Sequence, residues 1–424
     1  YQNAALIGAN VLDNIQIATY MNGSLVETST NSTILAAGSS LLGGSGRQIA
    51  GFVTTLPFNT IRISITQAVG LNLGTTIVYR ALVQNMCAGP ALPCNTPNNM
   101  VLPTYPVVVN SINTGIDGLA CIGCSINNRD NLVDSNLSNF ADITLLAGVG
   151  ISGSISVKDA VTDYAANTFV GFDIENTTLL SADILDGITI STYLNGSPRE
   201  TRTGISGLIE ASTSLITGNG RQTVGFVTTM SFDEVKLTVS NTISANLGMT
   251  KIYKMVTKKF CDVTLACDQT YYLSEPQFPV IVNSLRTGVQ GVACALCSVA
   301  DAPNVITASN TDFATITTAA GVAADGSISV LDALSTFPAG STAGFVIQDM
   351  NNLIQADLFN SLTITTYLNG EVRETKNASD LIDLAVLTNW IGMGAGVYNL
   401  GFPTTMTYDE IKISVGSLAS VLNV

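Results

Sequence analysis

Apolar side chains fall on every second residue through three copies of one nine-residue stretch. The copies read Ile15-Gln-Ile-Ala-Thr-Tyr-Met-Asn-Gly23, Ile188-Thr-Ile-Ser-Thr-Tyr-Leu-Asn-Gly196 and Leu362-Thr-Ile-Thr-Thr-Tyr-Leu-Asn-Gly370. That alternation predicts a half-buried strand. The Asn-Gly that ends each copy supplies the two positive-φ residues of a type I′ hairpin turn. Beyond the turn each copy runs to a glutamate (Glu27, Glu200, Glu374) and a second polar-alternating segment.

The same logic marks further strands near 106–110, 139–145, 153–158, 168–174, 199–203, 222–229 and 234–240, with a closing strand near 250–257. Val235-Lys-Leu-Thr-Val239 matches Ile61-Arg-Ile-Ser-Ile65 and Ile411-Lys-Ile-Ser-Val415, with one face for the core and one for water. Short strands separated by turn signals predict an all-β chain of antiparallel β-sandwiches of jelly-roll type.

The motifs return with a period of 173 to 174 residues, the length of a whole domain. Tyr105-Pro-Val-Val-Val-Asn-Ser111 becomes Phe278-Pro-Val-Ile-Val-Asn-Ser284, and Gly153-Ser-Ile-Ser-Val157 becomes Gly326-Ser-Ile-Ser-Val330. Residues 1–95 then form the second half of a repeat, 96–268 a complete repeat, and 269–424 a third copy lacking its last strand. That strand reads Lys251-Ile-Tyr-Lys-Met-Val256 in the complete copy and Thr76-Ile-Val-Tyr-Arg80 in the first. The expectation is either a window on a longer tandem array or a subunit that completes its sandwiches with partner strands. The absence of an initiator Met and of a signal peptide suits a mature or partial chain.

Composition narrows the function classes. Only 11% of the 424 residues are charged and 46% are apolar, yet no apolar run is long enough for a membrane span. A net charge of −14 argues against nucleic acid, and no basic cluster offers a membrane-surface patch. With no histidine, Ser-His-Asp and Cys-His catalysis and most catalytic zinc sites drop out. The chain is expected not to be an enzyme. Asp233-Glu234 and Asp409-Glu410 could do acid–base work as pairs, but a solvated turn ahead of a strand is the preferred reading.

The eight cysteines form two sets, Cys87, Cys94, Cys121, Cys124 and Cys261, Cys267, Cys294, Cys297. An even count at repeated spacing points to disulfides and an oxidising compartment in preference to zinc. Each set permits three pairings, with Cys87–Cys94 and Cys121–Cys124 as the first choice. Adjoining Pro/Asn-rich linkers suggest cysteines that staple the junctions between successive sandwiches.

Other candidates are weighed on residue chemistry. Asn128, Asp130, Asn131 and Asp134 make an oxygen-rich loop for which calcium is the candidate ion, although only Asn131 keeps its type in the next copy, as Asn304. Tyr20, Tyr193 and Tyr367 lie opposite the apolar face and form a candidate contact platform for glycans or protein, against cross-strand packing as the simpler reading. Gly46-Arg-Gln and Gly220-Arg-Gln are not kept as an anion site by the third copy, and Trp390 is expected in a core. Asn22, Asn31, Asn136, Asn176, Asn195 and Asn377 match the N-glycosylation pattern.

Val170-Gly-Phe-Asp-Ile174, Leu185-Asp-Gly-Ile-Thr-Ile190 with its hairpin, Gly220-Arg-Gln-Thr-Val-Gly225 and Phe232-Asp-Glu-Val-Lys-Leu237 resemble the repeats of very large secreted surface proteins of Bacteroidota-type bacteria. Leu132-Val-Asp-Ser-Asn-Leu-Ser-Asn-Phe140 faintly resembles the opening of discoidin-like sugar-binding sandwiches. The first resemblance implies a cell-surface adhesin of the attachment or gliding type: a non-enzymatic, disulfide-stapled stalk of tandem sandwiches. Its partners would be further copies of the repeat in cis, lateral or head-to-tail copies of itself, or cell-surface glycans. An array of carbohydrate-binding modules and a strand-exchanging filament subunit are the alternatives.

Overall fold

A computed structural model of the chain describes residues 15–29, 35–37, 49–65, 77–118, 121, 123–145, 150–175, 187–204, 208–210, 221–240, 248–291, 297–309, 311–318, 324–348, 362–383 and 397–416. Trp390, Asn31, Asn176, Cys294 and the residues 46–48 lie outside these. Extended backbone dominates, as the β-branched and alternating segments require. Among the described residues no helix is long and apolar enough to cross a membrane. The chain divides into two compact units, Tyr1–Leu92 with Pro97–Leu208 and Thr217–Lys258, and Pro93–Thr96 with Ile209–Ile216 and Lys259–Val424.

In the first unit the complete repeat is a sandwich of two antiparallel sheets. One runs in the order Ser197–Thr203, Ile188–Leu194, Glu234–Ser240, Ser152–Asp159, Val107–Val109. The other runs Arg221–Val227, Thr168–Glu175, Gly248–Lys259, Ala141–Leu145, Ser125–Asn127, with Pro97–Asn99 also pairing Gly248–Lys259. Gly248–Lys259 therefore lies inside its sheet, between Thr168–Glu175 and Ala141–Leu145. Phe172, Ile174, Ile190, Phe232, Leu237 and Ile252 meet in one continuous core between the sheets. Burying a side chain such as Phe172 contributes about 1.5–3 kcal/mol, and the alternation legible at Val235, Leu237 and Val239 is the reason they share that core.

Each copy of the nine-residue stretch makes its hairpin. Asn22, Asn195 and Asn369 take φ of 50°, 51° and 52°, followed by Gly23, Gly196 and Gly370 at 85°, 78° and 84°. This left-handed pair suits the twist of two-residue β-turns. The register shifts at the same place in all three, just before the tyrosine.

Two glycine pairs fix another register. Gly171 faces Gly225, and Gly344 faces Gly401. A Cβ on Gly171 would lie 2.2 Å from the Val224 carbonyl oxygen and 2.8 Å from Gly225 Cα. The backbones approach so closely there that only two facing glycines fit.

The first copy contributes a three-stranded sheet of Ser24–Thr28, Ile15–Met21 and Thr60–Ile65. Leu35–Ala37 and Ile49–Gly51 instead extend a sheet of the complete repeat, through Ala36 opposite Val109. Of the closing strand expected at Thr76-Ile-Val-Tyr-Arg80, Thr76 lies outside the described residues, Ile77 makes an isolated bridge, and residues 78–93 carry no strand. Val78, Leu82 and Val83 stand 51%, 50% and 71% exposed.

In the second unit the third copy rebuilds one sheet in full: Val280–Val282, Ala324–Asp332, Glu410–Gly416, Leu362–Leu368, Glu371–Asn377. The strands of its other sheet fall into two pieces, Ser298–Ala300 with Thr315–Thr317, and Thr342–Gln348 with Val397–Pro403 and Ile382–Asp383. Its apolar side chains gather in two clusters, one around Phe402 and Tyr408 and one around Phe278 and Val280.

Candidate functional site

Buried or clustered polar side chains concentrate in three places. The first is the glutamate beyond each hairpin. Glu200 accepts from the Thr229 amide at 2.9 Å, the Thr229 hydroxyl at 2.9 Å and the Met230 amide at 3.0 Å. Glu374 does the same to Thr405 and Met406, and Glu27 to Thr55 and Leu56. One carboxylate thus satisfies two backbone donors of a loop some thirty residues away, through charge-assisted bonds.

The second cluster overturns the reading of the acidic pairs as solvated turns. Asp233, Glu234, Asp409 and Glu410 are all buried, at 4%, 0%, 8% and 1% exposure. Glu234 Oε1 accepts from Asn110 at 2.9 Å, Asn113 at 2.6 Å and the Ser156 hydroxyl at 2.6 Å. Glu410 accepts from Asn283 at 2.8 Å, the Ser329 hydroxyl at 2.6 Å and Arg286 at 3.1 Å. Burial pushes the Glu410 carboxyl above its ordinary range, with Ser329 and Arg286 pulling against it. Asp233 and Asp409 each receive the turn asparagine's amide, at 3.1 and 2.8 Å. A carboxylate can be buried when donors surround it, and these tie hairpin to sheet. The signal was present in the recurrent Val-Asn-Ser and Gly-Ser-Ile-Ser-Val motifs, which supply Asn110, Asn283, Ser156 and Ser329.

The third place is the oxygen-rich loop. Lys254, fully buried, aims its ammonium into it and donates to the Asn131 carbonyl, to Asp134 Oδ1 at 3.0 Å and to Asn139 Oδ1 at 3.1 Å. Asn131 and Asp134 thus face a cation carried by the chain itself. Burial lowers the Lys254 pKa and Asp134 raises it again. The Asn128 side chain turns elsewhere, to Asp142 at 3.4 Å. Beside this, Arg221 lies 3.4 Å over the Tyr253 ring and donates to Asp173 at 2.5 and 2.8 Å. Tyr253 bonds Glu175 and packs edge-on against Phe140 at 5.6 Å. Burial and the Glu175 hydrogen bond push the Tyr253 hydroxyl up to about 12.

The three hairpin tyrosines do not make an open platform. Tyr367 is buried at 6% exposure, beneath Arg286 at 4.3 Å and Lys412 at 5.8 Å. Tyr20 and Tyr193 are half-buried, with Arg62 at 5.4 Å and Lys236 at 5.5 Å over their rings. The neighbouring strand's cation covers each ring, an attraction that alternation alone does not reveal.

Of the expected local pairs Cys121–Cys124 forms and Cys87–Cys94 does not. Cys94 bonds Cys261 across 167 residues, and Cys121 bonds Cys124. Cys297 is disulfide-bonded as well. Cys87 and Cys267 are free and exposed, so the Cys87–Cys94 bridge is not made. Cys94 just precedes Pro97–Asn99, and Cys261 just follows Gly248–Lys259, the strand it pairs with. The bridge consequently ties the chain just before Pro97–Asn99 to the chain just after Gly248–Lys259. Asn95 supports it, donating to the Cys261 carbonyl at 3.3 Å and accepting its amide at 2.9 Å.

These features define a class: antiparallel, disulfide-closed β-sandwich repeats. No protein-family model matches the chain. No curated protein matches it either. Among solved structures the chain is similar to CBM32-3 from a family 31 glycoside hydrolase of Clostridium perfringens, at 14% identity and a TM-score of 0.21, over 34% of this chain and 90% of that one.

Proposed function

We propose that the chain is a non-catalytic structural segment of an extracellular surface protein, in which tandem sandwiches act as a load-bearing, adhesive stalk. The observation that carries this reading is the glutamate clamp. A glutamate present in all three copies, Glu27, Glu200 and Glu374, serves the same internal task each time: holding a distant loop by its backbone amides. A repeat kept for its scaffold preserves such groups, whereas a binding module keeps groups that face a ligand. The long-range disulfide supports an oxidising compartment.

Single-molecule stretching tests it. The sandwiches should open in discrete events, and reduction of Cys94–Cys261 should add about 55–60 nm of contour for the 167 residues it encloses. A chain that extends smoothly, while binding glycans through a surface lost in Tyr193→Ala, would replace the stalk with a carbohydrate-binding array.

A further inference from the structure

One buried aspartate is served differently in the complete repeat and in the third copy. In the complete repeat both oxygens of Asp159 are occupied by the chain itself. Its Oδ1 accepts the Val161 and Thr162 amides at 2.9 and 2.7 Å, and its Oδ2 accepts the Tyr164 hydroxyl at 2.6 Å. Asp332 is the counterpart in the third copy, at 4% exposure. Its Oδ1 again takes two amides, from Leu334 at 3.0 Å and Ser335 at 2.7 Å. The neighbouring aromatic pair is present in both copies, but its hydroxyl has changed rings. Tyr164 against Phe232, with centroids 5.4 Å apart, becomes Phe337 against Tyr408 at 5.1 Å. The Tyr408 hydroxyl turns to the Thr342 carbonyl at 3.4 Å. Among the described residues no donor reaches Asp332 Oδ2.

Asp332 lines a cavity of about 430 Å³ that lies wholly within the second unit. Phe278, Phe337 and Leu334 give the cavity apolar walls, and Asp262, exposed, stands at its rim. Ser335 joins the two carboxylates: its amide donates to Asp332 Oδ1 and its hydroxyl to Asp262 Oδ1. Burial pushes the Asp332 carboxyl above its ordinary range, the Ser335 and Leu334 amides draw it down, and the negative charges of Asp262 and Asp409 raise it further. Among the described residues no lysine or arginine forms an ion pair with Asp262 or Asp332. A buried carboxylate without a counter-charge is costly, and a second one beside it adds repulsion. The group that answers both is a cation.

We propose that this cavity binds a primary ammonium group on an apolar stem, held between Asp332 and Asp262 with the stem against Phe278 and Phe337. Size and lining set the class of cation. The volume and the largely apolar wall with a few convergent polar groups are those of a small organic ligand's site. Calcium asks for about six to eight oxygen ligands, and among the described residues no three acidic or thiol groups gather to hold a metal ion. An ammonium carries three donors at one point. One takes the place that the Tyr164 hydroxyl fills in the complete repeat, at Asp332 Oδ2, and another reaches Asp262 through a charge-assisted bond. A free alkylamine and the lysine side chain of a partner protein share this chemistry. The site goes beyond the stalk reading and fails separately from it, since stretching reports the opening of sandwiches and titration reports uptake of an amine.

The full-length chain is titrated with hexylammonium chloride at neutral pH and constant ionic strength, and uptake is followed by saturation-transfer NMR of the amine. Nα-acetyl-lysine methylamide is titrated in parallel. Uptake of both assigns the site to a lysine side chain, and uptake of hexylammonium alone assigns it to a free amine. Phe337→Tyr supplies the hydroxyl that the complete repeat has, and should abolish uptake without lowering the melting temperature. Asp332→Asn should weaken uptake at least about tenfold by removing a charge-assisted bond. Asp262→Asn should weaken it less, because solvent screens the rim. No uptake of either amine, binding of neutral hexanol as tight as that of hexylammonium, undiminished uptake in Phe337→Tyr, or displacement of the amine by millimolar calcium would overturn the proposal.

Discussion

Lys254 places its ammonium 3.0 Å from Asp134 Oδ1, within the oxygen-rich loop. The lysine is fully buried, whereas the Asp134 side chain keeps 33% of its surface. Lys254→Met should cost roughly 3 kcal/mol by leaving the loop's oxygens without their cation. Thermal melts of the wild-type chain with millimolar calcium and with a chelator should coincide. A calcium-induced rise of several degrees in wild type would show that the loop takes the ion after all.

Glu200 is buried and answers two amides and a hydroxyl. Glu200→Ala should lower the stability of the complete repeat by about 3 kcal/mol, because donors are left unsatisfied. Glu27 holds the same bonds in an exposed setting. Water can replace it there, and Glu27→Ala should cost under about 1 kcal/mol. Denaturant unfolding of the two variants measures the contrast; equal losses would contradict it.

The Cys94–Cys261 bridge encloses 167 residues, against a separation of 3 for Cys121–Cys124. In the chain-entropy account the long loop is worth about 5 kcal/mol and the short one well under half of that. Cys94→Ser should therefore lower the melting temperature of the repeat far more than Cys121→Ser. Calorimetry in oxidising buffer distinguishes them.

Asp332, Asp409 and Glu410 of the second unit all have carboxyls raised, in each case chiefly by burial. A folded pKa above the unfolded one gives stability that is full below the unfolded value and lost as pH rises through the folded value. The second unit should therefore melt higher at pH 5 than at pH 7. Glu410→Gln should flatten that dependence. An unchanged slope in the variant would assign the effect to other groups.

The hairpins and most strand positions were legible because period-two alternation and Asn-Gly are local signals. The expected 234–240 strand matches Glu234–Ser240. The internal work of the polar residues was less legible, since it depends on partners 28 to 127 residues away, such as Thr55 for Glu27 and Asn283 for Glu410. An acidic pair before a strand looks solvent-facing until those donors are located. The long-range disulfide was hidden for the same reason, although the local Cys121–Cys124 pair was not. Nearness along the chain favoured Cys87–Cys94, whereas strand pairing between Pro97–Asn99 and Gly248–Lys259 brings Cys94 to Cys261. Tyr367 shows the limit of alternation most directly: the pattern places it on the outer face, and Arg286 then covers that face.

The facing glycines, Gly171 with Gly225 and Gly344 with Gly401, also act as a spelling check on strand alignment. Sliding either strand by one residue would set a side chain against the opposite carbonyl, where 2.2 Å leaves no room for a methyl group. Someone writing a consensus version of this repeat could vary its threonines and asparagines widely, yet would have to keep these two letters together, because a change at one cannot be rescued by a change at the other.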